Sequence, residues 1–220
     1  MRTHTDKEAL KPRNENRDMQ AQAEAMIPPG LEAKTADNGR ELALLRLVAQ
    51  GNRQAFETLY SGYYRRLGRF LTRLTQRPEL IEEAVNDTFW VVWQKAGDFR
   101  GASLVSTWIM GIAYRCALKA LRRAGGAATE PLDDNYEDTG TAELQAQQEL
   151  RDWLGKGLRH LPLEQRTTLE LAYYMGHSCE EIGEIMDCAV GTVKARMFHA
   201  RVKLRNLLPA LGGMTGRGNS

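Results

Sequence analysis

Cysteine is scarce in this chain: Cys116, Cys179 and Cys188 are the only three in 220 residues, and none falls in a CxxC pair. An odd number without that spacing argues against a disulfide framework or a zinc site and points to a reducing cytosol. Long apolar runs are missing too. A stretch such as Phe89 to Trp93 is far too short to cross a bilayer. The N-terminus MRTHTDKEALK carries no apolar core of a secretory signal, so a cytoplasmic location without membrane insertion is expected. A strong charge of one sign is absent as well: the formal net charge is +2. Any affinity for nucleic acid must therefore come from segregation of charge along the chain. There is no nucleophile–base pair, phosphate loop or metal cluster, which argues against an enzyme, a cofactor and a small-molecule substrate.

What is present is helical periodicity, in two blocks. Residues 1–40 mix seven basic and seven acidic side chains without a face, and Pro28-Pro29-Gly30 interrupts them; a disordered extension is expected. From Glu41 to Arg123 apolar residues recur every three or four positions. Leu42, Leu45 and Val48 precede Gly51, a helix stop, and Asn52, a cap. Phe56, Leu59, Tyr60, Tyr63, Leu67, Phe70, Leu71 and Leu74 mark one long helix. Pro78 opens a third, with Ile81, Ala84, Val85, Thr88, Val92 and Ala96 inward. Residues 97–102 form a loop. A fourth helix, from about Ser103 to Arg123, buries Trp108, Ile109, Ile112, Ala113 and Cys116. Residues 124–149 hold seven acidic residues and no Lys or Arg, the composition of an extended acidic linker. The second block, 150–211, is followed by a tail at 212–220. No run alternates with period two. The fold class is all-α: two helical domains on a flexible acidic tether.

Ser178-Cys179-Glu180-Glu181 is a capping box. The short helix it opens turns inward with Ile182, Ile185 and Met186. After Asp187-Cys188-Ala189 a second helix begins near Val190, so the pair is a helix-turn-helix. In that second helix Val193, Met197, Ala200, Leu204 and Leu207 form one stripe. Lys194, Arg196, His199, Arg201, Lys203 and Arg205 flank it, and no acidic residue interrupts 190–208. Basic side chains on the outer faces suit phosphates. The N-terminal positions Lys194, Ala195, Phe198 and His199 are best placed for base edges, Phe198 for a thymine methyl.

These segments resemble a known family. LPLEQRTTLELAYYMGHSCEEIGEIMDCAVGTVKARMFHARVKLRNLL is similar to region 4 of bacterial sigma factors of the extracytoplasmic-function (ECF) group, in wording nearest the envelope-stress branch. AFETLYSGYYRRLGRFL resembles region 2.1, IEEAVNDTFWVVW region 2.2, and FRGASLVSTWIMGIAYRCALKALRR regions 2.3 and 2.4. The resemblance covers about 42–208, in order. It implies that 41–123 is sigma region 2 and 150–211 is region 4. It further implies a core RNA polymerase partner, contacted at the coiled coil of its largest subunit and at its flap, together with promoter DNA and an anti-sigma factor. Glu83, Asn86 and Asp87, with Trp93 nearby, are implied at the polymerase. Phe99, Trp108, Gly111, Arg115, Lys119, Arg122 and Arg123 are implied at the −10 element. Thr192, Lys194, Ala195, Arg196, Phe198, His199 and Arg201 are implied at the −35 element. The chain departs from the family pattern at Gly111 and Arg115, where a polar or basic residue and Asn are usual, and at Ala189 and Ala195, where Pro and Ser are common. Two other readings remain at this point: a sigma-like decoy that only binds an anti-sigma protein, and a stand-alone helix-turn-helix regulator.

Overall fold

The computed structural model describes residues 31–125 and 153–215, with side chains placed for 37–125 and 153–209. Most of the acidic linker, the first thirty residues and the last five lie outside the described residues. Those described after Leu31 belong to one compact unit. All regular elements among them are helical.

Helix α1 spans Leu31–Ala49, ten residues earlier than the boundary expected at Glu41. Its first part carries no apolar stripe, so periodicity gave no sign of it. Asn38 has a task there: its Oδ1 accepts the Val105 N–H, 2.8 Å away. Val105 opens a later helix whose own flanking residue, Leu104, supplies no side-chain cap, so α1 satisfies that orphan donor from outside. Helix α1 stops at Gly51, whose φ of 81° is a left-handed conformation glycine adopts without a Cβ penalty.

Asn52 then caps α2 (Arg53–Thr72), its Oδ1 accepting the Ala55 N–H at 3.0 Å. Pro78 begins α3 (Pro78–Lys95), where its missing N–H costs nothing. A short 3₁₀ turn, Ala96–Asp98, leads through a loop to α4 (Val105–Arg123). The stripes expected from spacing become the core: Leu67, Leu71, Val92 and Ile109 are fully buried. Each such side chain contributes about 1.5–3 kcal/mol relative to exposure. Phe56 meets Phe89 and Trp93 edge-on. Tyr63 donates its hydroxyl proton to Glu41 across 2.6 Å, tying α1 to α2; burial raises the pKa of both groups.

In the second block, residues 153–159 are helical and form α5. Helix α6 (Leu163–Leu169) starts at Pro162 and runs into a π-helical turn, Glu170–Tyr174. That turn accommodates one residue more per turn than an α-helix, which hydrophobic spacing does not announce. Gly176, with φ of 67°, closes it. Helices α7 (Cys179–Met186) and α8 (Val190–Thr215) complete the chain.

The fourth helix departs most from expectation. Beyond its anticipated stripe, α4 also buries Met110, Gly111 and Tyr114. The cause is α7, which packs on its second face. Leu171, Ile182, Ile185, Met186 and Val193 share one hydrophobic cluster with Ile109, Met110 and Ala113. The two blocks are thus in contact, and one apolar cluster runs through both.

Candidate nucleic-acid and polymerase interfaces

The helix-turn-helix forms as its local signals require. Ser178 Oγ accepts the Glu181 N–H at 3.2 Å, and Glu181 Oε2 accepts the Ser178 N–H at 2.7 Å. Substitution Ser178→Ala is expected to cost about 1 kcal/mol of stability, measured by urea denaturation. Helix α7 ends at Asp187, the only non-glycine residue with positive φ among those described, at 52°. The Cys188 N–H then reaches back to the Gly183 carbonyl at 2.9 Å. Gly183 makes that return possible: a Cβ there would sit 2.8 Å from the Cys188 oxygen.

Val193 and Ala200 on α8 are fully buried, and Met197, Leu204 and Leu207 are half-buried, as the stripe foretold. Ala200 closes a small cluster with Leu158, Leu161 and Leu169. Thr192, Lys194, Ala195, Phe198, His199 and Arg201 are exposed side by side. Phe198 and His199 stack edge to face with centroids 5.4 Å apart. Arg196 differs from its neighbours: it is half-buried, with Nη1 3.4 Å from the Cys188 sulfur. It turns toward the helix-turn-helix elbow instead of the open surface. Burial pushes the thiols of Cys116 and Cys179 up, the opposite of an activated nucleophile.

The residues implied at the −10 element are dispersed. Phe99 and Trp108 face each other with ring centroids 5.3 Å apart, both half-buried. Beside them is an open hollow lined by Leu42, Leu45, Arg46, Ala96, Phe99, Arg100 and Gly101. Arg46 and Arg100, both exposed, were missed by sequence reasoning because one comes from α1 and the other from the loop. Arg115, Lys119 and Arg122 are exposed along α4. Two members of the set make contacts within the protein. Gly111 is buried: a Cβ there would lie 3.4 Å from Arg115 Nη1 and 3.5 Å from Ile185 Cα of α7. Arg123, itself exposed, pairs with Glu83 and approaches Asp87 at 3.9 Å.

Those carboxylates are the implied polymerase face. Glu83 and Asp87 are half-exposed and Asn86 is exposed. Trp93 is not beside them at the surface: its ring packs on Phe56 at 5.2 Å. The large exposed aromatic on this side is Trp90, at 60 % exposure. It lies three and seven residues after Asp87 and Glu83, on the same helix face, a spacing that would have singled it out.

Fold and surface together define an all-helical protein with a helix-turn-helix whose second helix carries an acid-free basic surface, and with a separate acidic patch on α3. Family comparison agrees with this. Residues 59–126 match Sigma-70 region 2, and residues 151–204 match Sigma-70 region 4. The ECF RNA polymerase sigma factor SigM of Mycobacterium tuberculosis H37Rv is 36 % identical over 166 residues, 75 % of this chain and 83 % of SigM. The ECF RNA polymerase sigma-E factor of Haemophilus influenzae is 32 % identical over 190 residues, covering 80 % of this chain and 99 % of the relative. The chain belongs to the ECF group of the sigma-70 family. Among solved structures, sigma factor RpoE in complex with anti-sigma factor NepR from Bartonella quintana aligns with a TM-score of 0.56 at 27 % identity, over 70 % of this chain and 96 % of that one. CnrH in complex with the cytosolic domain of CnrY aligns at 0.58 and 22 % identity, over 77 % and 97 %, which supports the fold.

Proposed function

We infer that this chain is a sigma factor: it binds core RNA polymerase and directs it to promoters by recognising −35 and −10 elements and assisting melting. The observation that carries the reading is the presence of both sigma regions, in order, on one chain whose reading helix exposes Lys194, Arg201, Lys203 and Arg205 and holds no acid. It makes no bonds itself and works in the cytoplasm, where polymerase is. No described helix is long and apolar enough to cross a membrane.

The division of labour follows the exposed chemistry. Residues 41–123 act as the polymerase-binding and −10-binding domain, and 150–211 as the −35-binding domain. Helix α8 enters the major groove with Lys194, Ala195, Phe198 and His199 at base edges, while Thr192 and Arg201 hold the backbone. The Phe99–Trp108 pair and the hollow beside it suit a base turned out of the stack, with Arg46 and Arg100 near its phosphate. Extruding a base costs a few kcal/mol; stacking on an aromatic returns about 1–3 kcal/mol. On α3, Glu83, Asn86, Asp87 and Trp90 offer acid, amide and an aromatic anchor to a basic helical partner. An anti-sigma factor is a further partner, as in the complex of RpoE with NepR.

Run-off transcription with core polymerase on a genomic fragment library tests the whole reading. Discrete promoter-specific transcripts that require this protein are expected. Their absence, with anti-sigma binding intact, would leave a decoy. Duplex binding with no association to core polymerase would instead make the chain a stand-alone regulator. The basic, acid-free α8 speaks against the first alternative and the acidic α3 face against the second.

A further inference from the structure

We propose that Asn38 is a positioning residue for the −10 strand: its side chain clasps the first residue of α4 to α1 and so fixes the loop that walls the hollow beside Phe99. The proposal rests on the sigma-factor reading above and adds to it a residue that itself touches no DNA. Asn38 Oδ1 accepts the Val105 N–H at 2.8 Å, across 67 positions of sequence. Val105 is fully buried, and its N–H is one of the donors a helix cannot satisfy from within. An asparagine is otherwise a poor choice in the interior of α1, because its amide competes with the helix backbone for hydrogen bonds.

The bond fastens one end of a segment whose other end also rests on α1. There, a Cβ placed on Gly97 would lie 4.0 Å from Ala49 Cβ. Between the two points, at Leu42, Leu45 and Arg46, α1 forms one wall of the hollow, and Ala96, Phe99, Arg100 and Gly101 form the other. Helix α1 is therefore a splint: as it runs from Asn38 to Ala49, the chain facing it runs back from Val105 to Gly97. The helical steps from Asn38 to Ala49 cover about 16 Å. The chain from Gly97 to Val105 could extend to about 26–29 Å. The loop thus has slack, and its course is set by its attachments, not by its length.

What the clasp positions is the aromatic pair and the space next to it. Trp108 lies in the first turn of α4, where its N–H bonds the Leu104 carbonyl at 3.0 Å. Phe99 lies on the loop, its ring centroid 5.3 Å from that of Trp108. Without Asn38 the first turn of α4 frays and the loop takes up its slack, so pair and hollow lose their fixed separation. An extruded base then has to order the loop as it binds, which weakens the contact. Affinity for the correct strand falls in proportion to the fraction of molecules that hold the loop in place.

The test uses the full chain. Exchange of the Val105 amide is followed by NMR on the free protein, and strand binding is measured with core polymerase added. The probe is the non-template −10 strand of a promoter recovered by run-off transcription, set against a scrambled strand of the same composition. In Asn38→Ala the Val105 amide should exchange at least about 5-fold faster than in the parent. Preference for the matched strand should fall about 5-fold, the loss expected if roughly one molecule in five keeps the loop in place. Asn38→Asp offers an oxygen to the same N–H and suits a helix N-terminus, so it should restore both. Its added charge repels either strand alike and leaves their ratio intact. Asn52→Ala removes the same kind of bond from α2, where Asn52 accepts the Ala55 N–H at 3.0 Å. It should lower stability similarly and leave the preference unchanged. Should N38A not fold, Asn38→Gln, which displaces the amide by one methylene, decides on the same readouts. Fast Val105 exchange in the parent overturns the clasp. Faster exchange in N38A with the preference unchanged overturns the positioning role, and so does an equal loss of preference in N52A. A parent that protects the Val105 amide yet prefers neither strand overturns the −10 reading, and the positioning role falls with it.

Discussion

Reversing the charges of Glu83 and Asp87 to lysine should abolish association with core RNA polymerase while leaving the fold intact. Both side chains are at the surface of α3, and their internal partner is the exposed Arg123. An ion pair this exposed contributes about 0–1 kcal/mol to stability. The same carboxylates against a basic helix in a water-excluded contact are a different matter. Losing one partner of such a pair costs about 2–5 kcal/mol, and reversal adds repulsion. Association should weaken at least about 100-fold in a titration of labelled protein with core enzyme, in keeping with that cost. Trp90→Ala alone should remove about 2 kcal/mol, the mark of an aromatic anchor at the centre of a contact. Trp93→Ala separates surface from core: it should lower stability through lost packing on Phe56 and affect polymerase only through the fold. Undiminished binding by the Glu83/Asp87 variant would remove α3 from the polymerase interface.

The second large effect concerns α8. Lys194→Ala combined with His199→Ala is expected to weaken binding to −35 DNA by 10- to 100-fold, since a good base contact is worth about 1–3 kcal/mol. Binding to core polymerase should not change. The two residues also differ in kind. A lysine that neutralises a phosphate contributes about 0.9 to the slope of log affinity against log salt, so K194A should flatten that slope. H199A should leave the slope alone and relax sequence preference. Measuring both variants by anisotropy on matched and scrambled duplexes, at several salt concentrations, separates positioning from reading. Equal affinity of the double variant for the matched duplex would exclude these residues from the site.

Much of this architecture was legible because its signals are local. Gly51, Asn52, Pro78 and the Ser178–Glu181 box each act within four residues, and each does in the structure what its chemistry suggests. The apolar stripe of α8 likewise needs only a helix of regular pitch. Features invisible in the sequence depend on distant partners. The first turns of α1 carry no stripe, and Asn38 becomes meaningful only where α4 lacks a cap of its own. Met110, Gly111 and Tyr114 sit outside the stripe of α4, and their burial comes from α7, some seventy residues away in sequence. Trp90 and Trp93 share a motif and a residue type. Only the ring of Phe56 beneath Trp93 decides which one packs inward and which faces solvent. Among residues implied at DNA or polymerase, those on α8 other than Arg196 are exposed together, whereas Arg196, Gly111, Arg123 and Trp93 make contacts within the protein.

The elbow between α7 and α8 separates what aims the reading helix from what it reads. Gly183 leaves no room for a methyl against the Cys188 oxygen, Asp187 supplies the reversed backbone, and Val193 and Ala200 anchor α8 from below. None of these four touches the surface that Lys194, Ala195, Phe198 and His199 present. On the assignment proposed above, preference at the −35 element can diverge between descendants of this chain by substitution at those four positions, with the angle of approach inherited unchanged.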